Sequence, residues 1–243
     1  MNLRQVRLQF RTVSGRHDLV NADGADNGAD FYINAGIRHL DRRTRFQKSL
    51  ARSFHLVAAG TVSVRFQLCR AVKEVWVATT SERWQLRKIS WQEIRQHYLY
   101  QPTTSVGVLN CYAPTYLRPA PEVLTSEQVT ALDWVTQYMD DVVTDGTHAL
   151  YNSLLLAAPP TEEMMVEVVG LFHSTELSAA TDSNMWTALW PELVVQAACL
   201  ELEKMHRNTQ GLQDWNNALE MALTEIEKDG VEEDIAGGGQ MEG

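Results

Sequence analysis

The sequence predicts an α+β protein: a helical bundle formed by the N- and C-terminal helices, with an antiparallel β-rich domain inserted between them. Three observations lead there. Apolar residues recur at steps of three and four near both ends, at Leu3, Val6, Phe10 and Val13 and again at Leu212, Trp215, Leu219, Ala222 and Ile226, the spacing of one helical face. From Phe54 onward the period drops to two, the spacing of a strand with one buried face. The 243 residues, 44% of them hydrophobic and 21% charged, suffice for a sizeable core without covalent staples. The predicted divisions are 1–53 with 178–229 for the bundle, 54–177 for the insert, and 230–243 for a flexible acidic and glycine-rich tail.

Each element follows from local chemistry. Asn2 is placed to cap a first helix that Gly15 ends, the usual asymmetry of helix termini. The Asx- and Gly-rich stretch 17–28 reads as a loop. Asp30 then caps a second helix, with Phe31, Ile33, Ile37 and Leu40 inward and Arg38, Arg42 and Arg45 on another face. Val62, Val64, Phe66 and Leu68 alternate with polar residues as a strand. Strands over 72–79 and 83–89 come next, joined by a turn at Thr80 to Glu82. Ser90-Trp91-Gln92-Glu93 is a capping box that opens a short helix ending before Pro102.

A strand is expected over 106–112, then a loop with Pro114, Pro119 and Pro121, while 126–141 suits either helix or irregular chain. Strands over 149–157 and 164–173 flank Pro159-Pro160. Helix returns at Asp182 or Ser183, and Pro191 suits the first position of a longer helix reaching about Arg207. The last helix carries the Leu212 to Ile226 stripe and stops at Asp229-Gly230. The tail beyond is too polar to offset its own ordering entropy.

Several function classes lose support. Cys69, Cys111 and Cys199 are few and far apart, which gives neither a disulfide framework nor a metal clip. Arg4, Arg7, Arg11 and Arg16 interrupt the span that a signal peptide keeps apolar, and runs such as 154–158 are too short to cross a bilayer. A cytoplasmic chain with no membrane partner is expected. Phosphate-cradling loops and a nucleophile elbow are absent, and the seven histidines never fall at H-x-H or H-E-x-x-H spacing. In the loop 23–34 a calcium reading fails, because Ala25 and Asn34 stand where ligands belong. No catalytic, cofactor-binding or metal-ligating residue is assigned, and no enzyme activity is expected.

Charge offers more. Residues 1–100 carry 17 Lys and Arg against 8 Asp and Glu, and the remainder 4 against 23. Basic and acidic surfaces of this kind can attract across neighbouring subunits, or can be plain solvated faces. Arg38, Arg42 and Arg45 form a stripe at i, i+4 and i+7. Such a stripe suits a subunit contact or a nucleic-acid backbone, although the aromatic residues that stack single strands are missing beside it. The acidic segment Val231, Glu232, Glu233, Asp234 and Ile235 is the second candidate contact.

The stretch Asp26-Asn27-Gly28-Ala29-Asp30-Phe31-Tyr32-Ile33-Asn34-Ala35-Gly36-Ile37-Arg38-His39-Leu40-Asp41-Arg42 resembles the second-helix signature of head–tail adaptor proteins of tailed bacteriophages. The order Ala158-Pro159-Pro160, a strand over 164–173, Glu176-Leu177-Ser178, Thr181-Asp182-Ser183 and Trp190-Pro191-Glu192-Leu193 is similar to the same adaptors. The resemblance spans most of the chain outside about 100–148. It implies a structural virion protein, assembled in the host bacterial cytoplasm, that forms a ring, usually twelvefold, under the portal protein at the capsid vertex. The ring would extend the channel through which genomic DNA passes without sequence-specific binding, and would dock tail or nozzle proteins. It implies no catalytic residue and no cofactor. A nucleic-acid-binding accessory protein using the Arg stripe, or an enzyme with an unrecognised site, are the alternatives.

Overall fold

The computed structural model describes residues 1–43, 50–61, 63–97, 109–117, 151–158 and 160–238. The fold is α+β, with six helices and eight strands among the described residues. Two compact units divide the chain. One joins Met1–Ser49 to His173–Gly243, and the other is Leu50–Phe172.

In the first unit, α1 (Leu3–Ser14) starts on a reciprocal cap. Asn2 Oδ1 accepts the Gln5 N–H at 3.0 Å, and Gln5 Oε1 accepts the Asn2 N–H at 3.0 Å. Gly15, at φ 68°, ends it in the left-handed region. Leu3, Val6 and Phe10 are buried as the spacing requires, but the stripe stops there: Val13 is half exposed. Arg7 is buried in its place, one turn from Leu3, which a reading of apolar residues alone passes over.

Helix α2 (Ala29–Arg43) begins one residue before Asp30. The cap is Asp26, whose Oδ1 accepts the Gly28 and Asp30 N–H groups at 3.1 and 3.0 Å. Asp30 is thereby free to hold Arg7. Ile33, Ile37 and Leu40 face the core, whereas Phe31 is 61% exposed and lies edge-on to Tyr32.

Asn184 caps α4 (Met185–Leu189), one or two residues after the expected start at Asp182 or Ser183, and Asp182 is used in the preceding turn. Pro191 opens α5 (Pro191–His206), and Arg207, at φ 57°, closes it. Helix α6 (Thr209–Gly238) buries Leu219, Leu223 and Ile226. It does not stop at Asp229-Gly230. An interior glycine costs a helix about 1 kcal/mol relative to alanine, too little to end one, and residues 231–238 continue it where a flexible tail was expected.

The second unit is a pair of four-stranded sheets. Strands β1 (Leu50–Val57), β8 (Met164–Phe172), β3 (Cys69–Ala78) and β4 (Arg83–Gln85) form one, antiparallel throughout, in the order β1-β8-β3-β4. Strands β2 (Ser63–Phe66), β7 (Tyr151–Leu156), β6 (Cys111–Leu117) and β5 (Arg87–Lys88) form the other, in which β5 pairs parallel to β6. The insert is therefore not wholly antiparallel. Val57, Val75, Val77, Val166 and Val168 of the first sheet and Val64, Leu154 and Leu156 of the second share one core. Helix α3 (Trp91–His97), opened by Ser90 Oγ on the Glu93 N–H at 3.1 Å, buries Ile94 with Ala113 and Leu155 in a smaller cluster.

The strand expected through Leu68 ends at Phe66, since Leu68 takes φ 61° in the turn to β3. The strand expected over 83–89 is broken at Leu86, where the chain passes from one sheet to the other. Pro114 lies inside β6 and not in a loop. Proline is tolerated where one flank of a strand is unpaired, and β5 covers only Cys111 and Tyr112 of β6 among the described residues. The expected features at Arg45, Val62, Pro102, 106–108, Pro119, Pro121, 126–141, Ala149 and Pro159, and residues 239–243 of the tail, lie outside the described residues.

Candidate functional site

Helix α2 displays Asn34, Arg38 and Asp41 at successive turns of one face, and all three reach the segment 173–187. Asn34 Nδ2 donates to the Leu177 carbonyl and Oδ1 accepts the Leu177 N–H, both at 2.9 Å. The side-chain amide therefore satisfies a stretch of loop backbone as a neighbouring strand would. Arg38 pairs with Glu176.

Among the described residues, the buried Asp41 accepts three hydrogen bonds: Trp186 Nε1 at 2.7 Å and Ser174 Oγ at 2.9 Å on Oδ1, and the Ser174 N–H at 2.7 Å on Oδ2. His173 Nδ1 stands 3.8 Å from Oδ2. A serine, a histidine and an aspartate are thus close together, but in the wrong order for catalysis. Nucleophile activation places the imidazole between serine and carboxylate, whereas Ser174 donates directly to Asp41. The geometry is that of an anchor. Beside it, Asp182 Oδ2 accepts the Ser178 and Ala179 N–H groups at 2.9 and 2.8 Å, and these bonds hold its pKa below the ordinary value. Asn34 and Asp41 carried a signal in the sequence: they are polar residues at i and i+7 beside the buried Ile33, Ile37 and Leu40.

Two further ion pairs fix the unit. Arg7 meets Asp30 bidentately, Nε to Oδ1 at 2.7 Å and Nη2 to Oδ2 at 2.5 Å, and the hydrogen bond to Asp30 raises the guanidinium pKa. On the α2–α5 side, His39 lies 3.1 Å from Glu201, which Lys204 also contacts. Burial pushes the Glu201 carboxyl up, but the hydrogen bonds from His39 and Lys204 prevail and hold it below its usual range.

The predicted contact residues divide. Arg38 is engaged by Glu176 and its neighbour Arg43 by Glu220, so part of the charge asymmetry is met within one chain. Arg42 is exposed, and Arg45 lies outside the described residues. Val231, Glu232, Glu233, Asp234 and Ile235 fall in the last turns of α6. Among the described residues no cluster of three or more metal-ligating side chains occurs, and no helix is long and apolar enough to cross a membrane.

In the second unit, the outer face of the β1-β8-β3-β4 sheet holds a shallow depression of about 270 Å³ lined by Phe54, Trp76, Met165, Arg52, Arg83 and Glu167. Arg83 Nη2 bonds the buried Glu167 at 2.5 Å, and its guanidinium lies 4.8 Å from the Trp76 ring centre. Sequence reading missed this face.

The cysteines are all free and buried. Burial pushes the Cys69 thiol up to about 11 and the Cys199 thiol up to about 12. The thiolate is the reactive form, so a disulfide reagent at pH 8 is expected to label these two only as fast as the protein opens. Rapid labelling of either in the native protein, followed by peptide mapping, contradicts this placement.

No family model matches this chain and no curated protein matches it, so its function is to be read from these surfaces.

Proposed function

We propose that this chain is a structural virion protein, a ring-forming head–tail adaptor that binds beneath a portal protein, extends the DNA channel and docks tail or nozzle proteins. One observation carries the reading. The two stretches that resemble such adaptors, 26–42 and 158–193, lie more than a hundred residues apart, yet the side chains of the first anchor the second. Asn34 holds Leu177, Arg38 holds Glu176 and Asp41 holds Ser174 and Trp186. Two stretches that belong to one structural motif are expected to touch in this way. Arg38 and Arg43 already sit on carboxylates of their own chain, which leaves a nucleic-acid backbone less to hold and favours the adaptor over a nucleic-acid-binding protein.

The test is assembly. Mixed with the portal protein encoded beside it, the 27.4 kDa chain is expected to form rings by native mass spectrometry, with a copy number near twelve. A chain that forms no complex with that portal sinks the proposal. Removing 231–243 is expected to leave the thermal midpoint nearly unchanged, since the buried residues among the described side chains of α6, Leu219, Leu223 and Ile226, all precede the cut, while weakening incorporation into particles. Equal incorporation of the truncated chain removes the docking role from this segment.

A further inference from the structure

Strand β1 is the outer strand of its sheet, and no strand lies on its other side among the described residues. Sheets usually guard such an edge with charged side chains, lysine above all, or with proline, a bulge or a very short strand, and β1 carries a single charged side chain, Arg52. Here β1 is eight residues long, contains neither lysine nor proline, and pairs with β8 from Leu50 to Val57 without a shift of register. Its outer face alternates Leu50, Arg52, Phe54 and Leu56, of which the three apolar side chains are 40%, 58% and 64% exposed. Met165, paired with Leu56, widens this strip. Among the described residues, a row of backbone donors and acceptors and the apolar strip beside it are open together.

We propose that β1 pairs antiparallel with β1 of a second copy, across a two-fold axis at Ser53, joining two four-stranded sheets into one of eight. The strand's own sequence selects this occupant, because it is self-complementary about Ser53. Pairing there sets Leu50 opposite the other copy's Leu56 at both ends, and Arg52 opposite Phe54, so that like charges stay apart and a guanidinium meets an aromatic ring. Moving the axis to Arg52 sets two arginines face to face, which is destabilising. Moving it to Phe54 leaves Leu50 unmatched. An axis between residues sends the outer-face side chains of one copy to the opposite side of the joint sheet.

The inference does not rest on the adaptor reading. A two-fold contact uses the same patch on both copies and closes at two, whereas a ring grows head to tail.

Opposed residues of an antiparallel pair have Cα atoms about 4.5–5.5 Å apart, inside the disulfide range of about 4.4–6.8 Å. The full-length parent is expected to sediment at twice the 27.4 kDa chain mass. Ser53→Cys should form a disulfide-linked dimer under mild oxidation, under conditions in which Phe54→Cys stays reduced. Leu56→Lys, at an exposed position, should be monomeric with an unchanged circular dichroism spectrum. A parent that stays monomeric while the β1 amides resist hydrogen exchange overturns the proposal, since another part of the chain then covers the edge. So does a Leu56→Lys variant that remains dimeric, or a Ser53→Cys variant that cross-links no faster than Phe54→Cys.

Discussion

Replacing Asp41 by alanine is expected to destabilise the helical unit by about 2–5 kcal/mol, because one buried and two part-buried donors lose their acceptor at once and an unsatisfied buried group costs about 1–3 kcal/mol. The donors are Trp186 Nε1 and the N–H and Oγ of Ser174. Trp186 is fully buried, so no solvent replaces the lost carboxylate at that ring. Asp41→Asn keeps one oxygen and presents an N–H where the other stood, and should fall between parent and Asp41→Ala. The measurement is urea unfolding followed by the helical signal at 222 nm, analysed as two transitions because the chain has two units. A double-mutant cycle with Trp186→Phe should give a coupling of about 0.5–3 kcal/mol. A loss below about 1 kcal/mol for Asp41→Ala would mean that the anchor contributes little.

Gly36→Ala is the second large effect, and its sign runs against helix propensity. In an exposed helix the change stabilises by about 1 kcal/mol. Here the added Cβ would stand 2.7 Å from the Ala198 nitrogen and 2.8 Å from the Ala197 carbonyl carbon. Those are backbone atoms of α5, which cannot rotate aside, so the two helices must separate along their contact. Overpacking of this kind costs about 1–3 kcal/mol and occasionally more, and a clash with backbone belongs at the upper end. A net loss of about 2 kcal/mol is expected, a fall of several degrees in the midpoint for a unit of this size. A midpoint equal to or above the parent's in a thermal scan would mean that α2 and α5 are not in contact at Gly36.

The elements most legible in the sequence were those whose ends are encoded by side chains nearby. Asn2, Gly15, Ser90 and Pro191 each fix a terminus through bonds within four residues or through their own backbone preference. What escaped was decided at a distance. Nothing local distinguishes Asp26 from Asp30 as the cap of α2. The cap at Asp26 goes together with the pairing of Asp30 to Arg7, on another helix. Nothing near Leu86 says that Arg83–Gln85 and Arg87–Lys88 join different sheets, since that depends on β3 and β6. In β3 the register shifts between Cys69 and Ala71 and between Val72 and Glu74 blur the alternation that marks a strand. The anchor at Asp41 was hidden for the same reason: its partners lie 133 and 145 residues along the chain.

The helical unit is sewn from the two ends of the chain, and this sets an order on biosynthesis. The buried faces of α1 and α2, with Leu3, Val6, Phe10, Ile33 and Ile37, share one core with α5, which leaves the ribosome about 150 residues later. At about 5–20 residues per second, that interval is roughly 8–30 s. Throughout it, two amphipathic helices are exposed with their counterpart not yet made, while the 50–172 unit, contiguous in the chain, can close on itself. The faces of α1 and α2 are therefore expected to bind a chaperone until α5 is made, and ribosome pausing before α5 would lengthen the exposure.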